Sequence, residues 1–288
     1  MPHRWRVQHA WVLPLALSLP VAAPAQHPDS VPPAPRAAHY AQVGDVRMYY
    51  RLYGRGRPLL LLHGGGGTID ESFRRQISYF ARDHLLVAPE QQGHGHTRDA
   101  DGPLDYGAMA ETTAQLLGQL HIRNADVLGW SDGGIVGLLL AARHPDLVRR
   151  LVITGASTRP LAGAVDPAVV AEVESWKPEA DSAGRARYAR LFADSVSHYP
   201  VFVAKLKELW LNQPTDAQLG PAELAKIEAP TLVIVGDHDV IRLEHTVELF
   251  HAVKRAELLI VPGSGHNTLG EHSEWLNPII QAFFARPP

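Results

Sequence analysis

Short apolar runs alternate along this chain with longer segments of helical spacing. Val46-Arg47-Met48-Tyr49-Tyr50-Arg51-Leu52-Tyr53 alternates as a half-exposed strand does, and ends at Gly54. Leu59-Leu60-Leu61-Leu62 is apolar without interruption, which suits a central strand covered on both faces. Similar runs follow at His84 to Pro89, Ala125 to Leu128, Leu151 to Thr154, Thr231 to Val235 and Leu258 to Val261. Helices are predicted between them, at Glu71 to Phe80, Tyr106 to Leu120, Gly134 to Arg143 and Glu271 to Phe284. Strand and helix in alternation predict an α/β fold with a mainly parallel central sheet and helices on both faces. Reactive groups in such a sheet gather on loops after the carboxyl ends of strands.

One interval breaks the rhythm. No strand is evident between Thr154 and Thr231, and helical stretches stand at Pro167 to Trp176, Gly184 to Ser195 and Val201 to Leu211. Residues 159–229 read as an inserted helical cap on a core made of residues 40–158 and 230–286. Its aromatic residues, Trp176, Tyr188, Phe192, Tyr199, Phe202 and Trp210, read mainly as cap core, with a few facing a ligand.

The first residues read as something other than fold. Arg4 and Arg6 precede an apolar run from Ala10 to Ala22, and Ala23-Pro24-Ala25 closes it. That order describes a secretory signal peptide, residues 1–25, cut between Ala25 and Gln26. A proline-rich tether over residues 26–39 follows, and the expected destination is a bacterial periplasm or the medium. The run is too short, and too rich in proline, to serve as a stable membrane anchor. A net charge of −3 over 288 residues leaves no basic footprint for nucleic acid. With no cysteine, disulfides, thiol chemistry and cysteine zinc sites are excluded.

Chemistry concentrates at Gly129-Trp130-Ser131-Asp132-Gly133, a G-x-S-x-G segment between the strand ending at Leu128 and the apolar helix from Gly134. That context is a nucleophile elbow, which lifts a serine hydroxyl above the sheet. A serine needs an adjacent base, and a histidine base needs a carboxylate to fix its tautomer. Of 16 histidines, His266 follows the last strand in a glycine-rich turn. His245, His251, His272 and His238 read as surface residues, and His94-x-His96 reads as a solvated pair rather than a metal site. The carboxylate is expected in Gly236-Asp237-His238-Asp239, where Asp239 lies further over the edge and Asp237 suits bracing of the turn. Backbone N–H groups of Gly65, in the His63-Gly64-Gly65-Gly66-Gly67 loop, and of Asp132 are the candidate oxyanion donors.

These residues resemble the α/β-hydrolase superfamily from about Tyr40 to Phe284, through the His63-Gly64 loop, Gly93 to Thr97, the elbow, Gly236 to Asp239 and Gly265-His266. Many relatives carry Asp-x-Arg-Gly-x-Gly-x-Ser where this chain reads Glu90-Gln91-Gln92-Gly93-His94-Gly95-His96-Thr97, without the arginine. The resemblance implies a cofactor-independent serine hydrolase acting on small-molecule carboxylic esters of small or medium organic acids through an acyl-enzyme. A serine at the elbow disfavours dehalogenases and epoxide hydrolases of this fold, which use aspartate. Amide and carbon–carbon hydrolases remain alternatives, as does a non-catalytic receptor of the same fold. The run Gly129 to Gly134 is similar to that of valacyclovir-hydrolase-like enzymes, which act on amino-acid esters. Asp132 could then pair with a substrate ammonium, or brace the helix start instead. Trp130 and Gly66 complete the expected substrate contacts.

Overall fold

The computed structural model describes residues 32–212 and 219–287. The expected signal peptide, with its expected cleavage site and the first part of the expected tether, lies outside the described residues. Eight strands form one sheet: β1 (Ala37–Val43), β2 (Val46–Gly54), β3 (Arg57–Leu62), β4 (His84–Pro89), β5 (Ala125–Trp130), β6 (Val148–Thr154), β7 (Thr231–Gly236) and β8 (Ala256–Val261). Their order across the sheet is β1-β2-β4-β3-β5-β6-β7-β8. Strands β3 to β8 are parallel, and β2 runs antiparallel to both β1 and β4.

The uninterrupted leucines of β3 have a simple physical reason. Side chains alternate across a strand, so Leu60 and Leu62 enter one apolar cluster while Leu59 and Leu61 enter the other. The second cluster is closed by α1 (Ile69–Phe80) and α10 (Ser273–Ala285). The first is closed by α2 (Tyr106–Gln119) and α3 (Asp132–Arg143). Ten successive α3 residues from Gly133 are buried, which explains why its sequence is apolar all round.

Between β6 and β7 lie α4 (Pro167–Ser175), α5 (Ser182–Leu191), α6 (Tyr199–Leu211) and the short α7 (Pro221–Leu224). After β7 come α8 (Leu243–Ala252) and α9 (Thr268–Glu271). Among the described residues no helix is long and apolar enough to cross a membrane.

Two sequence expectations need correction. The tether cannot extend to residue 39, because Ala37, Ala38 and His39 already pair with Leu52, Arg51 and Tyr50 in β1. Within the inserted segment, α7 packs against α3 and α8. The helix expected from Gly184 to Ser195 runs from Ser182 to Leu191, because Asp181 caps its start by accepting from Gly184 N–H.

Candidate active site

Strand β5 turns into α3 at Ser131, whose backbone has φ 54 and ψ −120. A non-glycine residue held there stores about 1–3 kcal/mol of strain, which persists only where the surroundings dictate it. The two flanking glycines show why they are needed. A side chain on Gly133 would put its first carbon 1.9 Å from Leu62 O, and one on Gly129 would sit 2.4 Å from Gly133 O. Strand and helix therefore meet backbone to backbone, and the serine projects beyond the sheet.

His266 comes from the loop after β8 and Asp239 from the loop after β7, so both reach the same carboxyl edge. His266 Nε2 lies 3.0 Å from Ser131 Oγ, and His266 Nδ1 lies 2.7 Å from Asp239 Oδ1. The Asp239 carboxylate is wholly buried and also accepts from Ile241 N–H at 2.9 Å. Asp237 instead accepts from Ser264 N–H at 3.1 Å, holding the turn before His266. Glu271 supports the same turn from α9, accepting from Gly265 N–H at 2.8 Å and Ser264 Oγ at 3.0 Å.

Ser131 and His266 open into a cavity of about 160 Å³. Its outer wall is apolar and comes from the inserted helices, with Val169 and Val173 on α4 and Leu209 on α6. Asp132 lines it too. Its carboxylate accepts from Trp210 Nε1–H at 3.0 and 3.2 Å, and Tyr106 provides a second donor. Burial pushes the Asp132 carboxyl above the usual range, and these two donors hold it partly back. The side chain thus points into the cavity and does not fold back on the helix start. Gly65 lies directly against it, since a side chain there would meet Asp132 Oδ2 at 2.1 Å. The N–H groups of Gly65 and Asp132 have no protein acceptor among the described residues. For Asp132 this follows from its place in the first turn of α3.

The sequence profile of the alpha/beta hydrolase family matches residues 59–279. The chain belongs to the alpha/beta hydrolase family. Serine hydrolase BPHL of Mus musculus is 28% identical over 255 residues, which cover 84% of either chain. The 2-hydroxymuconate semialdehyde hydrolase of Pseudomonas putida is 30% identical over 261 residues, covering 81% of this chain and 88% of that one. A solved structure of a hydrolase from Pseudomonas aeruginosa PA01 matches with TM-score 0.67 and 25% identity, over 87% of this chain and 99% of that one.

Two expected substrate contacts of this alpha/beta hydrolase are not in the cavity. Trp130 packs with the α1 and α10 cluster, beneath Gly64, and its indole N–H donates to His266 O at 2.9 Å. Strand alternation sends it to the face opposite the cavity, where it steadies the His266 loop. Gly66 is likewise occupied: its N–H donates to His94 Nε2 at 2.9 Å and its carbonyl accepts from Arg187 at 2.7 Å. His94 itself is not solvated but buried, beneath Phe202 and Phe192 of the inserted segment. His96 stays half-exposed and pairs with the buried Glu90.

His245 is also buried rather than at the surface, and Thr158 N–H donates to its Nε2 at 3.1 Å. Burial lowers its pKa from 6.5 to about 4, with the nearby Arg159 charge adding to the effect. A folded-state pKa below the unfolded one gives stability that is complete above about pH 6.5 and is lost as pH falls towards about 4. Scanning calorimetry across that window is expected to show Tm falling with pH. The fall should be shallower in His245→Gln, which keeps an acceptor for Thr158. Parallel curves for the two proteins would remove His245 as a source of the acid sensitivity.

Proposed function

We propose that this alpha/beta hydrolase cleaves carboxylic esters of small organic acids through an acyl-enzyme on Ser131. The observation that carries the reading is the continuous hydrogen-bonded chain from Ser131 Oγ through His266 to buried Asp239, open to a small cavity. In this reading Ser131 Oγ attacks the ester carbonyl while His266 Nε2 takes its proton. Asp239 keeps the His266 proton on Nδ1 and stabilises the imidazolium as it forms. The carbonyl oxygen, now negative, is received by the Gly65 and Asp132 N–H groups, each worth about 3 kcal/mol in the transition state. His266 returns the proton to the departing alcohol, and water then repeats the sequence on the acyl-enzyme.

Asp132 narrows the acid component. The Asp132 carboxylate stands in a largely apolar cavity, next to the attacked carbonyl, and favours a substrate ammonium over a substrate carboxylate, while Arg159 in the same lining is paired with Glu248. Two of its acceptor positions are taken by Trp210 and Tyr106, and a carboxylate has about four. We therefore favour esters of α-amino acids whose side chain is small enough for the cavity. Similarity to a serine hydrolase supports the nucleophile. Similarity to 2-hydroxymuconate semialdehyde hydrolase keeps carbon–carbon cleavage as the second reading, but that substrate bears a carboxylate, which Asp132 opposes. Product analysis on an ester, an amide and a diketone sharing one acyl group separates the readings. Cleavage of the ester alone, or much the fastest, is expected; faster cleavage of the diketone would reverse the preference.

A further inference from the structure

Four consecutive glycines, Gly64 to Gly67, form the loop that carries the Gly65 N–H. Glycine backbone has the most freedom to lose, and inside the loop one bond restrains it, Gly67 N–H donating to Gly64 O at 3.1 Å. Two buried histidines add to the holding from outside, each reaching the other's loop. His63, after β3, has its Nε2 3.0 Å from Gln91 N–H, in the loop after β4. His94, in that second loop, has its Nε2 2.9 Å from Gly66 N–H, in the first. A backbone N–H can only donate, so both Nε2 atoms accept and both rings carry their proton on Nδ1. Those Nδ1–H groups donate to carbonyls of their own loops, His63 to Gly64 O at 2.9 Å and His94 to Gln92 O at 2.8 Å.

The consequence falls on Gly65. A trans peptide is planar, with its C=O and N–H pointing in opposite directions. His63 grips the carbonyl of the 64–65 peptide, whose other end is the Gly65 N–H. His94 grips the N–H of the 65–66 peptide. The 64–65 plane is thus held by His63 together with Gly67 N–H, and the 65–66 plane by His94.

We propose that His94 is a positioning residue for the oxyanion donor, fixing the 65–66 peptide next to the Gly65 N–H that the acyl-enzyme reading assigns as donor. The inference rests on the reading of Ser131 as nucleophile. Both rings are 2% exposed, with centroids 5.0 Å apart, and Phe202 lies 5.2 Å from His94. Burial, reinforced by the neighbouring His63, lowers the His94 pKa to about 3, and burial lowers that of His63 as well. Each ring thus keeps its acceptor at neutral pH.

Two substitutions separate the acceptor from the bulk of the ring. His94→Gln can place an amide oxygen near the Nε2 position, whereas His94→Asn keeps a donor for Gln92 O and loses the acceptor for Gly66. In the full-length protein, kcat on a small amino-acid ester is expected to fall about 10–100-fold in His94→Asn, with KM nearly unchanged, and to recover to within about threefold in His94→Gln. Amide exchange at Gly66, followed by ¹⁵N NMR without substrate, should be slow in wild type and His94→Gln and fast in His94→Asn. Equal kcat in wild type and His94→Asn, equal losses in both variants, or slow Gly66 exchange in His94→Asn would overturn the proposal. A wild type inert to every ester, with Gly66 protection lost only in His94→Asn, would defeat the esterase reading and leave the brace standing.

Discussion

Ser131→Ala is expected to lower kcat on ester substrates by about 10⁴–10⁶-fold while the protein stays folded. In the proposed mechanism the atom lost is the one that forms the acyl-enzyme, Oγ, which lies 3.0 Å from His266 Nε2. Whatever turnover survives would come from binding and the oxyanion donors acting on water. Stability should change little, because the Ser131 side chain makes no capping bond to α3 and alanine must occupy the same strained backbone as serine. The check is steady-state kinetics beside a melting curve. Full activity in a folded Ser131→Ala would place the chemistry elsewhere; an unfolded variant would instead indicate that the hydroxyl supports the elbow.

Asp132→Asn should produce the second largest effect, and a selective one. The amide fills the same space and keeps an oxygen for Trp210 or Tyr106, but it cannot pair with an ammonium. Breaking a partly desolvated ion pair by neutralising one partner costs roughly 3 kcal/mol or more, so kcat/KM for a valine ester should fall about 100-fold or further. For the N-acetylvaline ester, which has no charge to pair, the change should stay within about threefold. In wild type the preference for the free amine should fade as pH drops, and at a higher pH than for an ordinary aspartate, because burial raises the Asp132 carboxyl. Equal rates on the two esters in wild type would dismiss the ammonium site. The hydrolase reading would remain, since it depends on Ser131, His266 and Asp239.

Much of this site is local in sequence, and that part is legible there. The elbow is readable because close backbone packing at Gly129 and Gly133 admits no side chain, which leaves a fixed spacing around the serine. His266 and Asp239 are readable because each follows an apolar run that can only be a strand end. Strand β1 is not, because an edge strand buries little: in Ala37 to Val43 only Ala41 and Val43 are buried, and no apolar run forms. His94 misleads for a related reason. Its neighbours in sequence are glycines and polar residues, and its burial comes from Phe192 and Phe202, about a hundred positions away. Trp210 meets Asp132 only once the inserted α6 lies over the sheet, and Tyr106 only once α2 packs beside α3, so neither stands out beforehand. Trp130 shows the opposite error, since adjacency to Ser131 suggests contact with substrate while strand alternation turns its ring away.

The most direct test needs no guess at a substrate. The protein is treated with a fluorophosphonate, and its intact mass is read beside that of Ser131→Ala and His266→Ala. An activated serine predicts a single adduct on wild type and none on either variant. No adduct on folded wild type, or an adduct that persists in Ser131→Ala, would contradict the assignment of Ser131 as nucleophile.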